Sequence, residues 1–121
     1  MSGNENSVRE LTSQILMELD RIEANFIEVK ASQEEPDFFQ TVKPYADQVF
    51  ATVEQWESMA KNWIISDKPK YIHVQQIDST VENINMVAVQ CFYPDTREKR
   101  FKGMLQSIRY VLNDTIAKNM E

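Results

Sequence analysis

The chain has little of what usually carries chemistry. Among its 121 residues are one cysteine, one histidine and two glycines. A single cysteine cannot form an internal disulfide, so nothing requires an oxidising compartment. One histidine cannot supply a zinc site built from several imidazoles, nor the two Glu-x-x-His pairs of a di-iron bundle. No nucleotide or phosphate motif is present either. We therefore expect no metal and no other cofactor.

Long hydrophobic runs are also missing. No stretch approaches the roughly 18 consecutive apolar residues of a membrane span. The first 30 residues lack a basic segment followed by an uninterrupted apolar run, and Ser2 excludes N-myristoylation. The net charge of −6 disfavours duplex nucleic acid as a partner. We expect a soluble, unprocessed cytoplasmic protein that binds neither membranes nor nucleic acid.

Apolar residues at helical spacing dominate what is present. They recur every three or four positions in four stretches separated by short polar or proline-containing breaks, which is the pattern of amphipathic helices. The stretches predict helices over about residues 6–32, 36–65, 69–92 and 95–118. Because short connections favour antiparallel neighbours, the predicted fold is an all-α, up-down-up-down four-helix bundle, with residues 1–121 in a single domain.

Pro44 interrupts the second predicted helix, because a proline pushes the residue before it away from helical angles. Apolar residues from Phe39 to Trp63 nevertheless keep one phase across it. We prefer one kinked helix over residues 36–65. The alternative is a short first helix, followed by a main helix that begins at Pro44.

Two of the breaks carry helix-start signatures. Ser32 is followed by Glu35 and Pro36, and Asp95 is followed three residues later by Glu98. These spacings are typical of an N-cap residue with a capping glutamate. Ser32 and Asp95 are therefore the predicted N-caps of the second and fourth helices.

The sequence supports no catalytic constellation. Cys91 would need a base to act as a nucleophile, and the only histidine, His73, lies 18 residues earlier on the same predicted helix, about 27 Å away at helical rise. Cys91 belongs to an apolar stripe and is predicted to be buried. Carboxylate pairs such as Glu54 with Glu57 share helix faces but indicate solvated surfaces. We predict no catalytic residue and no enzymatic activity.

A polar line borders the apolar stripe of the third helix. Its members are His73, Gln76, Thr80, Asn83 and Gln90. Such a line is typical of a boundary strip that fixes the register of a neighbouring helix. The alternative is a ligand-binding groove lined by His73, Gln76 and Asn83, in which Trp56 or Tyr45 packs on the bound molecule.

Two tryptophans stand out on the second helix. Trp56 and Trp63 are seven residues apart with Ala60 between them, a spacing that favours packing of both indoles in the core. The alternative is a partly exposed aromatic platform for a protein partner, because tryptophan and tyrosine are enriched at interface hot spots. Tyr45, Tyr71, Tyr93 and Tyr110 could extend such a platform.

Charge is distributed unevenly. Residues 1–66 carry 12 acidic and 5 basic side chains, whereas residues 93–118 carry 3 acidic and 6 basic ones. The first two turns of the fourth helix hold four cations, where the helix dipole disfavours positive charge. These are Arg97, Lys99, Arg100 and Lys102. We expect acidic side chains of the first or second helix to neutralise them; the alternative is an acidic ligand or partner.

Gly103 lies inside the fourth helix, at a cost of roughly 1 kcal/mol relative to alanine. We expect another helix to approach it closely, either within the bundle or from a second copy. Leu16, Val89 and Val111 lie off the main apolar stripes, which leaves a homodimer as a further alternative.

Several sequence words resemble those of one family. They are Lys43-Pro44-Tyr45-Ala46-Asp47, Pro69-Lys70-Tyr71-Ile72-His73, Gln76-Ile77, Glu82-Asn83, Arg100-Phe101 and Ile108-Arg109-Tyr110. With these words the chain resembles the YppE-like proteins, which are small, all-helical cytoplasmic proteins of Bacillus and related Firmicutes, of unknown function. The resemblance implies a helical bundle in the cytoplasm and assigns no catalytic residue.

The leading functional hypothesis is a non-enzymatic module that binds a protein partner. The alternative is a bundle that binds a small ligand. The candidate binding residues for these two hypotheses are Tyr45, Trp56, Trp63, His73, Gln76, Asn83, Arg97 and Arg100.

Overall fold

The structure is a computed structural model that describes the backbone of residues 3–119 and the side chains of residues 8–119. This part of the chain forms four α-helices and one π-helical turn. They are α1 (Gly3–Ser32), the π-helical turn (Phe38–Val42), α2 (Lys43–Asp67), α3 (Val74–Gln90) and α4 (Glu98–Asn119). The all-α four-helix bundle predicted from the sequence is confirmed.

Each helix packs against two neighbours in a square arrangement. α1 lies against α2 and α4, and α3 lies against the same two helices, with little contact across the α1–α3 diagonal. The apolar stripes meet inside, where Phe26 and Phe101 stack with their ring centroids 4.1 Å apart. Both phenylalanines are buried, as are Ile22 and Leu105, which lie one helical turn away on the same faces. The helical spacing of the sequence therefore becomes one continuous core.

The antiparallel order gives the bundle two different ends. The two-loop end carries the α1–α2 connection (33–37) and the α3–α4 connection (91–97). The one-loop end carries only the α2–α3 connection (68–73). Residues of the same charge or type can therefore lie at opposite ends of the molecule.

The second helix is continuous, but it begins as a π-helical turn. The backbone N–H groups of Val42 and Lys43 bond to the carbonyls five residues earlier, those of Asp37 and Phe38. Pro44 follows directly, and a proline ring would clash with the carbonyl four residues before it in a regular α-helix. The wider turn accommodates the proline, so the chain neither breaks nor restarts at Pro44.

This extra width shifts the helical phase before Val42. Phe39, which the sequence places on the buried stripe, is 74% exposed. Phe38 is also exposed, and its ring meets that of Phe39 edge to face at 5.1 Å. The prediction that Phe39 belongs to the core is therefore wrong. A π-helical turn contains about one residue more than an α-helical turn, so α-helical spacing assigns the residues before Val42 to the wrong face.

Three predicted helix starts need correction. Ser32 is the last residue of α1, and the cap of the next helical segment is Asp37, whose carboxylate accepts from the Gln40 N–H at 2.8 Å. α3 begins at Val74, later than the predicted residue 69, because Tyr71 adopts a left-handed conformation (φ 68°). α4 begins at Glu98, since a turn through Thr96 occupies the predicted cap at Asp95.

The packing expected at Gly103 is absent. A Cβ atom added to Gly103 would meet no other atom within 4 Å among the residues described, so no helix of the bundle approaches it. Leu16 and Val89 pack against the core and form no exposed apolar strip. Approach of a second copy to Gly103 and a homodimer through Leu16, Val89 and Val111 stay predictions.

Candidate functional site

The predicted binding residues do not converge on one site. Trp56 and Trp63 are buried in the core, whereas Tyr45 is half-buried near the two-loop end. His73 precedes α3, and Gln76 and Asn83 lie on α3. Arg97 and Arg100 lie at the start of α4. We describe each location before asking what it can bind.

The two tryptophans are structural. Trp56 is fully buried, and its indole Nε1–H donates to the Thr12 hydroxyl at 2.9 Å. The same hydroxyl donates to the carbonyl oxygen of Val8 at 2.6 Å. Trp63 is 5% exposed. An aromatic platform at these residues is therefore excluded, because a partner cannot reach side chains that the core already covers.

Tyr45 of α2 contacts both α1 and the α3–α4 connection near the two-loop end. Its hydroxyl donates to the carboxylate of Glu18 on α1, and its ring lies edge-on to Phe92 at 5.5 Å. Burial, together with the hydrogen bond to Glu18, raises the pKa of Tyr45 well above its ordinary value. The phenol is thus a stable donor inside the protein, and this geometry favours a structural role.

Cys91 is a buried thiol close to Tyr45. Burial raises the pKa of Cys91 to about 12. Its Sγ lies 3.9 Å from the Asn25 amide, which donates to it, and 3.4 Å from the carbonyl oxygen of Ala88. His73 is at the other end of α3. Cys91 therefore has the properties of a core residue and not those of an activated nucleophile.

A shallow opening between α3 and α4 collects part of the polar line. Its volume is about 270 Å³, and its lining residues are Gln75, Gln76, Ser79, Thr80, Asn83, Ser107 and Val111. The Gln76 side chain accepts a hydrogen bond from the backbone N–H of His73 at 2.7 Å. His73 is the N-cap residue of α3. His73 itself is exposed and does not line the opening.

The predicted ligand site is only partly assembled there. Gln76 and Asn83 share the opening, but neither Trp56 nor Tyr45 lines it. Trp56 lies in the core, and Tyr45 contacts Glu18 and Phe92 elsewhere. The aromatic cover proposed from the sequence is thus absent from this groove.

The start of α4 carries a basic patch, which we define as Arg97, Lys99 and Arg100. All three side chains are exposed. Arg97 and Arg100 line a depression of about 280 Å³, together with Gln90, Asp95 and Thr96. Within residues 8–119, no carboxylate lies within 4.0 Å of any of the three cations.

The neutralisation expected from α1 or α2 occurs elsewhere. Arg109, further along α4, bonds to Asp20 and Glu23 of α1, each at 3.0 Å. Lys102 pairs with Glu98 of its own helix at 3.0 Å, and this contact lowers the pKa of Glu98. The basic patch itself remains unpaired, so the sequence-based expectation is wrong for these three residues.

The sequence did not single out a further opening at the two-loop end. It has a volume of about 690 Å³, and its lining residues are Asn25, Glu28, Val29, Ser32, Glu34, Glu35, Pro36, Thr41 and Phe92. Residues 32–36 had been interpreted only as a turn. Two adjacent glutamates followed closely by two phenylalanines were the available signal that this connection presents an unusual surface.

No group of three or more histidine, cysteine, aspartate or glutamate side chains within residues 8–119 could hold a metal ion. No described helix is both long enough and apolar enough to cross a membrane.

The fold and its surface thus define an antiparallel helical bundle with an unpaired basic patch and several open grooves. The chain belongs to the bacterial domain family of unknown function DUF1798, whose model matches residues 12–119. The resemblance to YppE-like proteins is confirmed. The uncharacterized protein YppE of Bacillus subtilis is 30% identical over 112 residues, covering 90% of this chain and 91% of that protein.

Solved structures give the same fold. A crystal structure of a Listeria innocua protein of unknown function superposes with a TM-score of 0.94 at 20% identity, covering 99% of this chain and 96% of the other. The crystal structure of YppE from Bacillus subtilis superposes with a TM-score of 0.88 at 26% identity, covering 93% and 92%. These relatives share the bundle, and no function is assigned to them.

Proposed function

We propose that this protein is a non-enzymatic cytoplasmic interaction module, and that its basic patch docks an acidic surface of a protein partner. The observation that carries this proposal is the absence of any carboxylate within 4.0 Å of Arg97, Lys99 or Arg100 in the described part of a chain with a net charge of −6.

The position of the patch makes it receptive to anions. Positive charge at a helix N-terminus is unfavourable by about 0.3–1 kcal/mol for each exposed side chain. A partner carboxylate would relieve this repulsion and could accept two parallel hydrogen bonds from an arginine. The depression beside Arg97 and Arg100 has room for such a side chain. The binding energy would therefore come from charges that the isolated fold leaves uncompensated.

The test compares two double variants with the same charge. Arg97→Glu/Arg100→Glu reverses the patch, and Lys68→Glu/Lys70→Glu reverses two exposed lysines of the one-loop end. Each pair of substitutions changes the net charge from −6 to −10. Proteins that copurify with tagged wild type from its native host are identified and quantified for both variants.

We expect a stoichiometric companion to be retained by the lysine control and lost by the arginine variant. Its binding to wild type should also weaken as salt is raised, because the contact is electrostatic. Equal recovery with both variants would refute docking at the basic patch.

The second candidate is the binding of a small polar ligand between α3 and α4. The observation that favours it is the opening of about 270 Å³ in which Gln76 and Asn83 face Ser107. Native mass spectrometry of gently purified protein should show an added mass that Asn83→Leu abolishes. A bare chain mass at every activation voltage would count against this candidate.

A further inference from the structure

The two-loop end carries both signs of charge. The acidic segment, which we define as Glu34 and Glu35, is exposed in the α1–α2 connection and lines the opening of about 690 Å³. Neither carboxylate lies within 4.0 Å of a cation in the described residues. The basic patch is unpaired in the same way. Two oppositely charged surfaces at one end of the molecule therefore do not neutralise one another.

These two surfaces lie on adjacent helices. α1 ends at Ser32, just before the acidic segment, and α4 begins at Glu98, within the basic patch. The stacked rings of Phe26 and Phe101 show that the last turns of α1 lie against the first turns of α4. The acidic segment and the basic patch thus both lie at the two-loop end of the bundle.

We infer that the acidic segment of one copy docks on the basic patch of a second copy, forming a two-fold symmetric dimer through the two-loop ends. This rests on the proposed function, because it names an acidic partner for the same arginines. A two-fold axis makes each copy supply both surfaces, so the complementary contact forms twice. Exposed charges of opposite sign at the same end of the bundle satisfy that requirement.

Exposed aromatic rings add apolar area to this end. Phe39 is 74% exposed and Phe38 is 45% exposed, immediately after the acidic segment. Charge pairs at an interface rim favour correct orientation more than they add affinity, and aromatic side chains contribute more of the binding energy. The two phenylalanines would therefore stabilise a dimer whose register the charges select.

Long-range repulsion between two copies of net charge −6 opposes this dimer at low salt. At about 0.1 M ionic strength the screening length is roughly 10 Å, so repulsion between distant charges is largely removed while contacts across the interface persist. Self-association should accordingly be measured near 0.1 M salt, and it should weaken again towards about 1 M, where contact pairs are screened as well.

The experiment is a charge swap followed by sedimentation velocity and native mass spectrometry. One variant is Arg97→Glu/Arg100→Glu, and the other is Glu34→Lys/Glu35→Lys. In each homodimer, both contacts then join like charges. In a mixed dimer, the two altered surfaces face each other with opposite sign, and the two unaltered surfaces also face each other. Mixing should therefore restore what each variant loses alone.

The expected result is a wild-type dimer, at least about tenfold weaker self-association of each variant alone, and a heterodimer when they are mixed. Matched controls are Lys68→Glu/Lys70→Glu, with net charge −10, and Glu10→Lys/Glu54→Lys, with net charge −2. Both controls should dimerise like wild type. Far-ultraviolet circular dichroism establishes that every variant is helical before it is compared.

Three results would overturn the inference: a monomeric wild-type chain at several hundred micromolar, a dimer that neither charge variant weakens, or variants that fail to pair when mixed. None of these results decides the proposed function, which depends on recovery of a different protein by the wild type and the lysine control. If a companion protein is lost from the arginine variant and the wild type is monomeric, the docking of a different protein at the basic patch is supported and self-association is refuted.

Discussion

The buried hydrogen bond from Trp56 to Thr12 allows a direct test of how the core is held together. Thr12 is fully buried, and its hydroxyl accepts from the indole N–H at 2.9 Å while it donates to the Val8 carbonyl at 2.6 Å. Thr12→Val keeps the shape of the side chain but removes the acceptor. The indole N–H then stays buried without a partner, which costs about 1–3 kcal/mol.

Thr115 provides a matched control. It is also fully buried, and its hydroxyl donates to the carbonyl of Val111, four residues earlier, at 2.8 Å. Among the described residues, no other side chain donates to this hydroxyl. Thr115→Val therefore removes the same local bond without leaving a donor unpaired. We expect its unfolding free energy to stay within about 0.5 kcal/mol of wild type, because a hydroxyl-to-methyl exchange in an apolar site is nearly neutral.

The assay is urea unfolding followed by far-ultraviolet circular dichroism, so that the readout does not depend on tryptophan emission. Thr12→Val should be about 1–3 kcal/mol less stable than Thr115→Val. Thermal midpoints should differ by roughly 3–6 °C for each kcal/mol. A double-mutant cycle with Trp56→Phe should show positive coupling, because the phenylalanine has no N–H to leave unpaired. Equal stability of the two threonine variants would refute the reasoning.

Three further outcomes follow from the same structure. Gly103→Ala should raise the unfolding free energy by about 0.5–1 kcal/mol in urea titrations, since the added methyl meets no atom within 4 Å; an unchanged or lower value would reveal packing at this position. Cys91 should react with a disulfide reagent at neutral pH only after urea is added, because its pKa is raised to about 12 by burial; rapid native reaction would contradict this. Between about pH 9 and pH 12 the wild type should lose stability, because the unfolded chain releases the Cys91 and Tyr45 protons before the native state does and therefore binds fewer protons. Tyr45→Phe should flatten this loss in denaturant unfolding, whereas the exposed Tyr110→Phe should not; equal slopes for the two variants would refute it.

The sequence predicted the fold well because periodicity reports burial directly. Val49, Val53, Trp56 and Ala60 were assigned to one face from spacing alone, and all four are buried. The same logic failed at Phe39, where the π-helical turn changed the number of residues per turn. Periodicity cannot reveal such a change in advance, because it is the quantity on which the assignment depends.

Helix starts were less predictable for a different reason. A capping signature describes which residue can cap a helix, not which residue does. Asp95 was a suitable cap, but the Thr96 hydroxyl donates to the Gln90 carbonyl at 2.9 Å and the Thr96 N–H bonds to Tyr93, so the chain turns once more before α4 begins. Tertiary context selected between local options that the sequence left open.

The basic patch was predictable in part, and its lack of partners follows from the register of two antiparallel helices. Arg109 of α4 lies opposite Asp20 and Glu23 of α1. Seven residues earlier on α4 is Lys102, and it faces the region seven residues later on α1, since the helices run in opposite directions. The positions equivalent to Asp20 and Glu23 are there occupied by Ile27 and Lys30.

The acidic face of α1 therefore ends before α4 reaches its first turns. Lys102 pairs with Glu98 of its own helix, and no described carboxylate of α1 lies within 4.0 Å of the cations before it. The one later carboxylate on α1, Glu28, lines the opening at the two-loop end, and Glu34 and Glu35 lie beyond the end of the helix in the connection. The first half of the sequence has an excess of negative charge, and the last helix has an excess of positive charge. These charges pair in the middle of the bundle but remain unpaired at one end. An end face with both charges unpaired is the surface most able to gain free energy from a second molecule.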